Sequence, residues 1–212
     1  MMEYEDYIKL MMKQIKKHDV RERVFQDNII RPFLFTVFSE LDIEPVDVKI
    51  ATKIHDYEQY CGSIKVNDKI KMGTPDLCIA DEWYWNNRDI EVNYRCVVEI
   101  KSPYLDTITG FLPNKYKKHT LDEIEQYLKA ERNSKIILTD GITWTFYNKE
   151  YGMNPVIEPI SLGEVKYKYR KGRNNKLVVE RDSSKKPIIE KIIFYEDEKV
   201  FNRLVTELQK FV

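Results

Sequence analysis

The sequence predicts an α/β protein with a mixed central β-sheet flanked by helices. Three observations carry this reading. Helices open and close the chain, the second of them with apolar residues near helical spacing. Short apolar runs rich in Val, Ile and Cys fill its middle, and an amphipathic helix interrupts those runs. The 212 residues suit one domain with an elaboration, and a hydrophobic content of 42% supports a packed core and argues against wholesale disorder.

In chain order, residues 3–18 read as a polar helix. Residues 21–40 read as a more apolar one, with Phe25, Ile29, Ile30, Phe33, Val37 and Phe38 near helical spacing; Pro32 inside that pattern marks a kink or a later start. Strands are expected over 46–53 and 62–66. Asn67-Asp68 then turns the chain into Ile70-Lys71-Met72, and Gly73-Thr74-Pro75 leads to Asp76 and the apolar run Leu77-Cys78-Ile79-Ala80. A polar loop over 81–93 carries Trp83, Tyr84 and Trp85. These aromatics either stack on bases or cover the sheet edge, and packing is the favoured reading. The strand over 96–101 stops at Ser102-Pro103. Residues 120–132 form an amphipathic helix, and a strand over 135–139 turns at Asp140-Gly141 into another over 142–148. Beyond Pro155 come β-like runs at 156–160, 164–169, 177–181 and 188–195, then a helix over about 197–211.

Composition excludes some classes. No apolar run approaches bilayer length, and the charged N-terminus lacks a signal-peptide core, so a cytoplasmic protein is expected. Cys61, Cys78 and Cys96 are odd in number and far apart, with no C-x-x-C pair; they are expected as buried reduced thiols rather than zinc ligands or disulfides. Net charge is zero, but its distribution is uneven. Residues 164–191 hold ten Lys/Arg against four acids, and Asn114-Lys115-Tyr116-Lys117-Lys118-His119 is a second basic cluster with an aromatic. Such runs are most often solvated surface, yet two of them in a neutral chain also fit a phosphate-facing side.

The unusual feature is acidic. In a strand, alternate residues share a face, so Val97, Glu99 and Lys101 point one way and Cys96, Val98 and Ile100 the other. Asp76 lies opposite Leu77 and Ile79 on its own strand. If the two strands are neighbours, Asp76 and Glu99 converge with Lys101 beside them. Paired hard oxygens suit Mg²⁺, and a nearby ammonium can orient a water for attack on a phosphodiester. The competing reading makes Glu99 and Lys101 a surface ion pair at a strand end. Acid-x-Lys triplets are common by chance: Asp47-Val48-Lys49 and Glu164-Val165-Lys166 are decoys in this chain. Context sets Asp76, Glu99 and Lys101 apart, because both halves sit on strong strand signals joined by a connection that a hairpin can close. Lys101, at the strand's end beside Ser102-Pro103, is expected to be partly exposed.

Gly73-Thr74-Pro75-Asp76 followed by Glu99-Ile100-Lys101 resembles the PD-(D/E)xK nuclease superfamily. More narrowly, the chain resembles the N-terminal nuclease domain of type I restriction endonuclease R subunits and their stand-alone relatives. Glu22 with Ile29-Ile30-Arg31-Pro32-Phe33-Leu34 is similar to that family's first helix. Residues 126–147 are similar to its helix, strand, Thr-x-Gly turn and Trp-x-x-Tyr strand. The similarity covers roughly 20–148. It implies a restriction-endonuclease-like core over 1–148, with 149–212 a β-rich basic extension ending in a helix and packed on the same domain.

Residue by residue, the resemblance implies that Asp76 and Glu99 ligate Mg²⁺, with Mn²⁺ as a substitute, helped by the Ile100 carbonyl. Lys101 would position the attacking water, and Glu22 would hold a metal-bound water or a second ion. Relatives often place a Gln four residues before a Tyr on the following helix. Here Tyr127 matches the Tyr, Glu123 stands at the Gln position and Gln126 is adjacent, so these three are auxiliary candidates. Lys115, Tyr116, Lys117, Lys118, Lys168, Arg170, Lys171 and Arg173 are the candidate nucleic-acid contacts. The implied function is a Mg²⁺-dependent DNA endonuclease of restriction, phage defence or phage DNA processing. The alternative is an inactive nuclease-fold protein that binds DNA or another partner. No G-x-x-x-x-G-K-S/T loop exists, so any translocation needs a motor or specificity partner chain; a homodimer is the other expected assembly.

Overall fold

The structure, a computed structural model, describes residues 1–19, 21–46, 60–66, 69–83, 92–104, 114–183 and 187–212. The chain opens with α1 (Tyr4–Lys16), α2 (Glu22–Phe25), a π-helical turn (Gln26–Ile30) and α3 (Arg31–Val37). Strands β1 (Asp42–Pro45), β2 (Ser63–Val66), β3 (Lys69–Met72), β4 (Leu77–Ala80) and β5 (Tyr94–Ile100) follow, then helix α4 (Asn114–Tyr127). Next come β6 (Lys135–Thr139), β7 (Thr143–Asn148), β8 (Ile160–Ser161), β9 (Gly163–Tyr167), β10 (Tyr169–Lys171), β11 (Leu177–Val179) and β12 (Ile189–Phe194). Helix α5 (Glu198–Phe211) ends the chain.

Alternation along β5 builds the layers. Cys96, Val98 and Ile100 enter one core with α1, α3 and α5, whereas Val97 enters a second core with Ile124 and Tyr127 of α4. The sheet is therefore sandwiched between helices, and it is mixed. Its six strands run β1-β4-β5-β6-β7-β8, with β5 and β6 parallel and the other neighbours antiparallel. Each fully buried Ile, Leu, Val or Phe of these layers contributes about 1.5–3 kcal/mol against exposure.

Local chemistry explains the connections. Gly141 turns β6 into β7 with φ at 82°, and Asp140 Oδ1 accepts from the backbone N–H groups of Ile142 (2.8 Å) and Thr143 (2.7 Å). In α5, Phe201, Leu204, Val205 and Leu208 recur at helical spacing on the buried side, and Asp197 caps the N-terminus through Lys199 N–H at 2.9 Å. Phe201 stacks on Tyr4 at 5.0 Å, and Phe211 meets Phe146 edge-on at 5.1 Å. Ile160 of β8 pairs with Trp144. The segment beyond 148 thus shares the core built by the first helices and the sheet.

Several sequence expectations need correction. The helix drawn over 21–40 runs without a break over Glu22–Val37 but carries a π-helical turn at Gln26–Ile30, just before Pro32, which has no N–H, and it stops short of residue 40. The first strand of the sheet is Asp42–Pro45, ahead of the predicted 46–53; a short edge strand tolerates Pro45 and offers only Ile43 as an inward signal. Residues 47–53 lie outside the described set. Helix α4 starts at Asn114 rather than 120 and stops at Tyr127, so it takes in the basic stretch 114–119. It ends in tighter three-residue hydrogen bonds, Lys129 N–H to the Gln126 carbonyl and Ala130 N–H to the Tyr127 carbonyl. The run expected over 156–160 is reduced to Ile160–Ser161. Among the described residues, no helix is long and apolar enough to cross a membrane.

Candidate active site

The antiparallel register Leu77↔Val98 sets Asp76, one residue before β4, opposite Glu99 on β5. Asp76 Oδ2 accepts the Ile100 backbone N–H at 2.7 Å, which fixes its carboxylate against the end of β5. Asp76 Oδ1 has no hydrogen-bond partner among the described residues. Glu99 shares a face with Val97, so it projects toward α4 rather than into the first core.

Lys101 is buried, with 7% of its surface exposed, which corrects the expectation of partial exposure. The reason is α4, which covers the strand end. The Lys101 ammonium donates to Glu99 Oε1 and, at 2.9 Å, to Glu123 Oε2. The Tyr127 hydroxyl donates to the other Glu99 oxygen at 2.7 Å. Glu123 and Tyr127 lie four residues apart on one face of α4, so both reach down to β5. Gln126 is buried on the same helix, but the hydrogen bonds of Glu99 and Lys101 come from Glu123 and Tyr127 instead. The Lys101 backbone N–H donates to the Thr139 carbonyl at 2.8 Å and extends the parallel β5–β6 ladder one step past Ile100.

Burial and mutual repulsion set the charges. Desolvation is the main cause of the rise in Asp76, up to about 6, and the Ile100 N–H and Lys101 oppose it. Desolvation again, followed by the Asp76 charge, pushes Glu99 up to about 8 against the pull of Lys101. Both Glu99 oxygens have hydrogen-bond partners, Lys101 and Tyr127. The upward direction means that burial and Asp76 disfavour the charged form of Glu99, which added positive charge would relieve. Burial alone would lower the Lys101 pKa, but Glu99, Glu123 and Glu22 together raise it, so the ammonium stays charged.

Glu22 reaches the same place from α2. A cleft of about 430 Å³ is lined by Glu22, Gln26, Thr74, Pro75 and Asp76 among others, and Gln26 Nε2 donates to the Asp76 carbonyl at 3.5 Å. The charge of Glu22 acts on both Asp76 and Lys101. Asp76, Glu99, Lys101, Glu22, Glu123 and Tyr127 are thus brought together.

Among the described residues, no group of three or more His, Cys, Asp and Glu side chains is arranged as a ready metal cage. The donor set still fits a hard cation that keeps several waters. Asp76 offers Oδ1, Glu99 offers a carboxylate now shared with Lys101, the Ile100 carbonyl ends the same strand, and Glu22 faces the cleft. Two enclosed carboxylates with raised pKa values are what a divalent ion would relieve.

The expected nucleic-acid contacts divide. The side chains of Lys115, Tyr116, Lys117 and Lys118 lie outside the described set. Lys168 pairs with Glu180 at 3.3 Å, and the decoy Lys166 pairs with Glu164, so these two cations are already matched. Arg170, Lys171 and Arg173 are exposed on and beside β10. Trp83 packs edge-on against Tyr94 at 5.9 Å, while Tyr84 and Trp85 lie outside the described residues. Sequence reasoning missed His119, whose Nδ1 is 3.3 Å from Glu123 Oε2, and the Thr139 carbonyl that seats Lys101. The i,i+4 spacing of His119 and Glu123 was the available signal. No family model, no curated protein and no solved structure matches the chain.

Proposed function

We propose that the protein is a Mg²⁺-dependent phosphodiester hydrolase acting on DNA, built on a restriction-endonuclease-like fold of the PD-(D/E)xK kind. One observation carries this reading: Asp76 and Glu99 face each other at the end of two paired central strands, with a buried, charged Lys101 held against Glu99. The sandwiched mixed sheet and the approach of Glu22 from the first helices support it.

Mg²⁺, when bound, supplies Lewis-acid charge at the phosphoryl group and makes water more acidic. The chain's own residues do the rest. Asp76 and Glu99 would hold the ion, with the Ile100 carbonyl as a further donor. Lys101 orients the water and meets negative charge as it builds on the phosphate. Glu123 and Tyr127 keep Lys101 and Glu99 in place. Water's oxygen forms a bond to phosphorus, the bond to the leaving ester oxygen breaks, and water's proton ends on that oxygen.

The occupied state of Glu99 favours a second reading. Both its oxygens are taken, by Lys101 and Tyr127, as in a site closed for binding alone. Plasmid, linear, single-stranded and RNA substrates, assayed with Mg²⁺, Mn²⁺ or EDTA, separate the two readings. Thermal melting with Ca²⁺ or Mg²⁺ gives a readout independent of turnover. The hydrolase reading expects metal-dependent DNA cleavage and a metal-induced rise in Tm, both lost in Asp76→Asn. Undiminished cleavage in EDTA, or no cleavage together with no metal response, would overturn it.

A further inference from the structure

A two-stranded ribbon, β10 paired with β11, stands apart from the central sheet in register Tyr169↔Val179, Arg170↔Val178 and Lys171↔Leu177. Its tip, residues 172–176, closes through the Gly172 N–H on the Lys176 carbonyl at 2.8 Å. Asn174 and Asn175 take the left-handed conformation there, with φ of 67° and 58°. Residues 169–179 hold four cations, Arg170, Lys171, Arg173 and Lys176, and no acid, in a chain of zero net charge. All four are exposed and none has a carboxylate partner among the described residues, whereas Lys166 and Lys168, nearer the ribbon's root, are paired. Leu177 is 69% exposed whereas Val179 is partly buried against the first core, so the ribbon's apolar anchoring lies at its root and not at its tip.

We infer that this ribbon enters the major groove of double-stranded DNA, a reading that rests on the nucleic-acid substrate proposed above. Dimensions favour the major groove. Two strands about 4.8 Å apart with side chains fit a groove about 12 Å wide and about 8.5 Å deep, but not a minor groove about 6 Å wide. Three residues per strand extend about 10 Å before the tip, enough to reach base edges. The chemistry agrees, since Arg and Lys read guanine and Asn reads adenine in that groove. One contact ties the ribbon's root to the chain that follows the candidate site: the Tyr167 hydroxyl, just before the ribbon, donates to the Pro103 carbonyl at 3.4 Å, two residues beyond Lys101.

The test is binding of the full chain to a mixed-sequence duplex oligonucleotide in EDTA, so that no turnover is needed. Three comparison probes are used: the single strand of the same sequence, a duplex in which 7-deazapurines replace the purines, and polyglutamate. The variant is Arg170→Ala/Lys171→Ala/Arg173→Ala, whose side chains are exposed, so its Tm should match the parent's. Expected are a fall of about three in the log–log salt slope for duplex binding by the variant, and about tenfold weaker binding of the 7-deaza duplex by the parent, because that duplex keeps its phosphates but loses the purine N7 acceptors. Equal affinity for the two duplexes overturns the groove assignment, as does an unchanged salt slope in the variant. Polyglutamate binding as strong as duplex binding and lost in the same variant overturns it in favour of an acidic protein surface. Duplex binding of the expected kind, with no cleavage and no metal-induced rise in Tm, would overturn the hydrolase reading alone.

Discussion

Tyr127 donates its hydroxyl proton to Glu99 at 2.7 Å, on the carboxylate oxygen that Lys101 leaves free. The two residues lie on different elements, 28 positions apart, and each is buried. A helix that could otherwise only cover β5 is thereby tied to the one carboxylate that β5 pushes toward it.

Tyr127→Phe keeps the ring in its core and removes only the hydroxyl. A hydrogen bond to a buried carboxylate is worth about 1.5–3 kcal/mol, and Glu99 loses a donor that supports its charged form. Chemical denaturation should show a loss of that order, and metal affinity should weaken with it. An unchanged midpoint would mean that Lys101 alone holds Glu99.

Stability of the metal-free protein should fall as pH rises. Asp76 is pushed up to about 6 and Glu99 to about 8, while the unfolded chain releases those protons near the ordinary 3.8 and 4.5. Between about 4 and about 8 the folded state therefore holds more protons than the unfolded state, so the slope of stability with pH is negative. Asp140, buried and pushed up to about 6, adds to the lower part of that window. Lys101 titrates above the window and adds no slope inside it. Urea midpoints from pH 4 to pH 9 should decline, Glu99→Gln should flatten the upper half, and Mg²⁺ should stabilise more at pH 8 than at pH 5. A midpoint that rises through this window would contradict the burial of the pair.

Gly73 precedes the Thr74-Pro75-Asp76 approach, and a Cβ there would stand 2.1 Å from the Cys61 carbonyl oxygen and 2.9 Å from Tyr127 Cδ1. The first contact is with backbone and cannot swing away. Gly73→Ala should cost about 1–3 kcal/mol, as overpacking does, and displace Asp76 as well. Trimming Tyr127 in a Gly73→Ala/Tyr127→Ala double variant should give no rescue, because the clash with Cys61 remains; recovery of Tm in that variant would place the strain on the ring instead.

The alternation of Cys96, Val97, Val98 and Glu99 makes both faces of β5 legible in the sequence, because period-two patterning is a local property. The amphipathic Phe201, Leu204, Val205 and Leu208 did the same for α5. The partners of Lys101 were harder to read. Glu123 is 22 residues away, and its contact depends on where α4 starts and how it lies on the sheet, neither of which the stretch 114–132 encodes locally. The same dependence hid the burial of Lys101, since a strand-end lysine next to Ser102-Pro103 looks exposed until a helix is laid over it. Strand β1 was missed for a different reason: Asp42-Ile43-Glu44-Pro45 has one apolar residue and is defined by pairing with β4.

Lys101→Ala separates the structural work of that lysine from its catalytic work. Had Lys101 been exposed, as its sequence context suggested, truncation would cost less than about 1 kcal/mol. Instead its ammonium is enclosed between Glu99 and Glu123. Its removal leaves two carboxylates facing each other, a break that typically costs about 3–5 kcal/mol. Glu99 can take up a proton to relieve this, so the loss in Tm should be larger at pH 9 than at pH 6. Lys101→Arg keeps the charge and should recover part of the Tm, but its planar fork does not replace a compact ammonium beside the water. Cleavage is to be read as single-turnover rate per folded molecule, at a temperature where each variant is native. There Lys101→Ala should fall by about a hundredfold or more, the usual cost of losing a group that meets transition-state charge, and Lys101→Arg should stay low despite its recovered Tm. A purely structural lysine predicts the opposite: the rate per folded molecule stays at the parent's value in both variants, and the assignment of Lys101 to catalysis then fails.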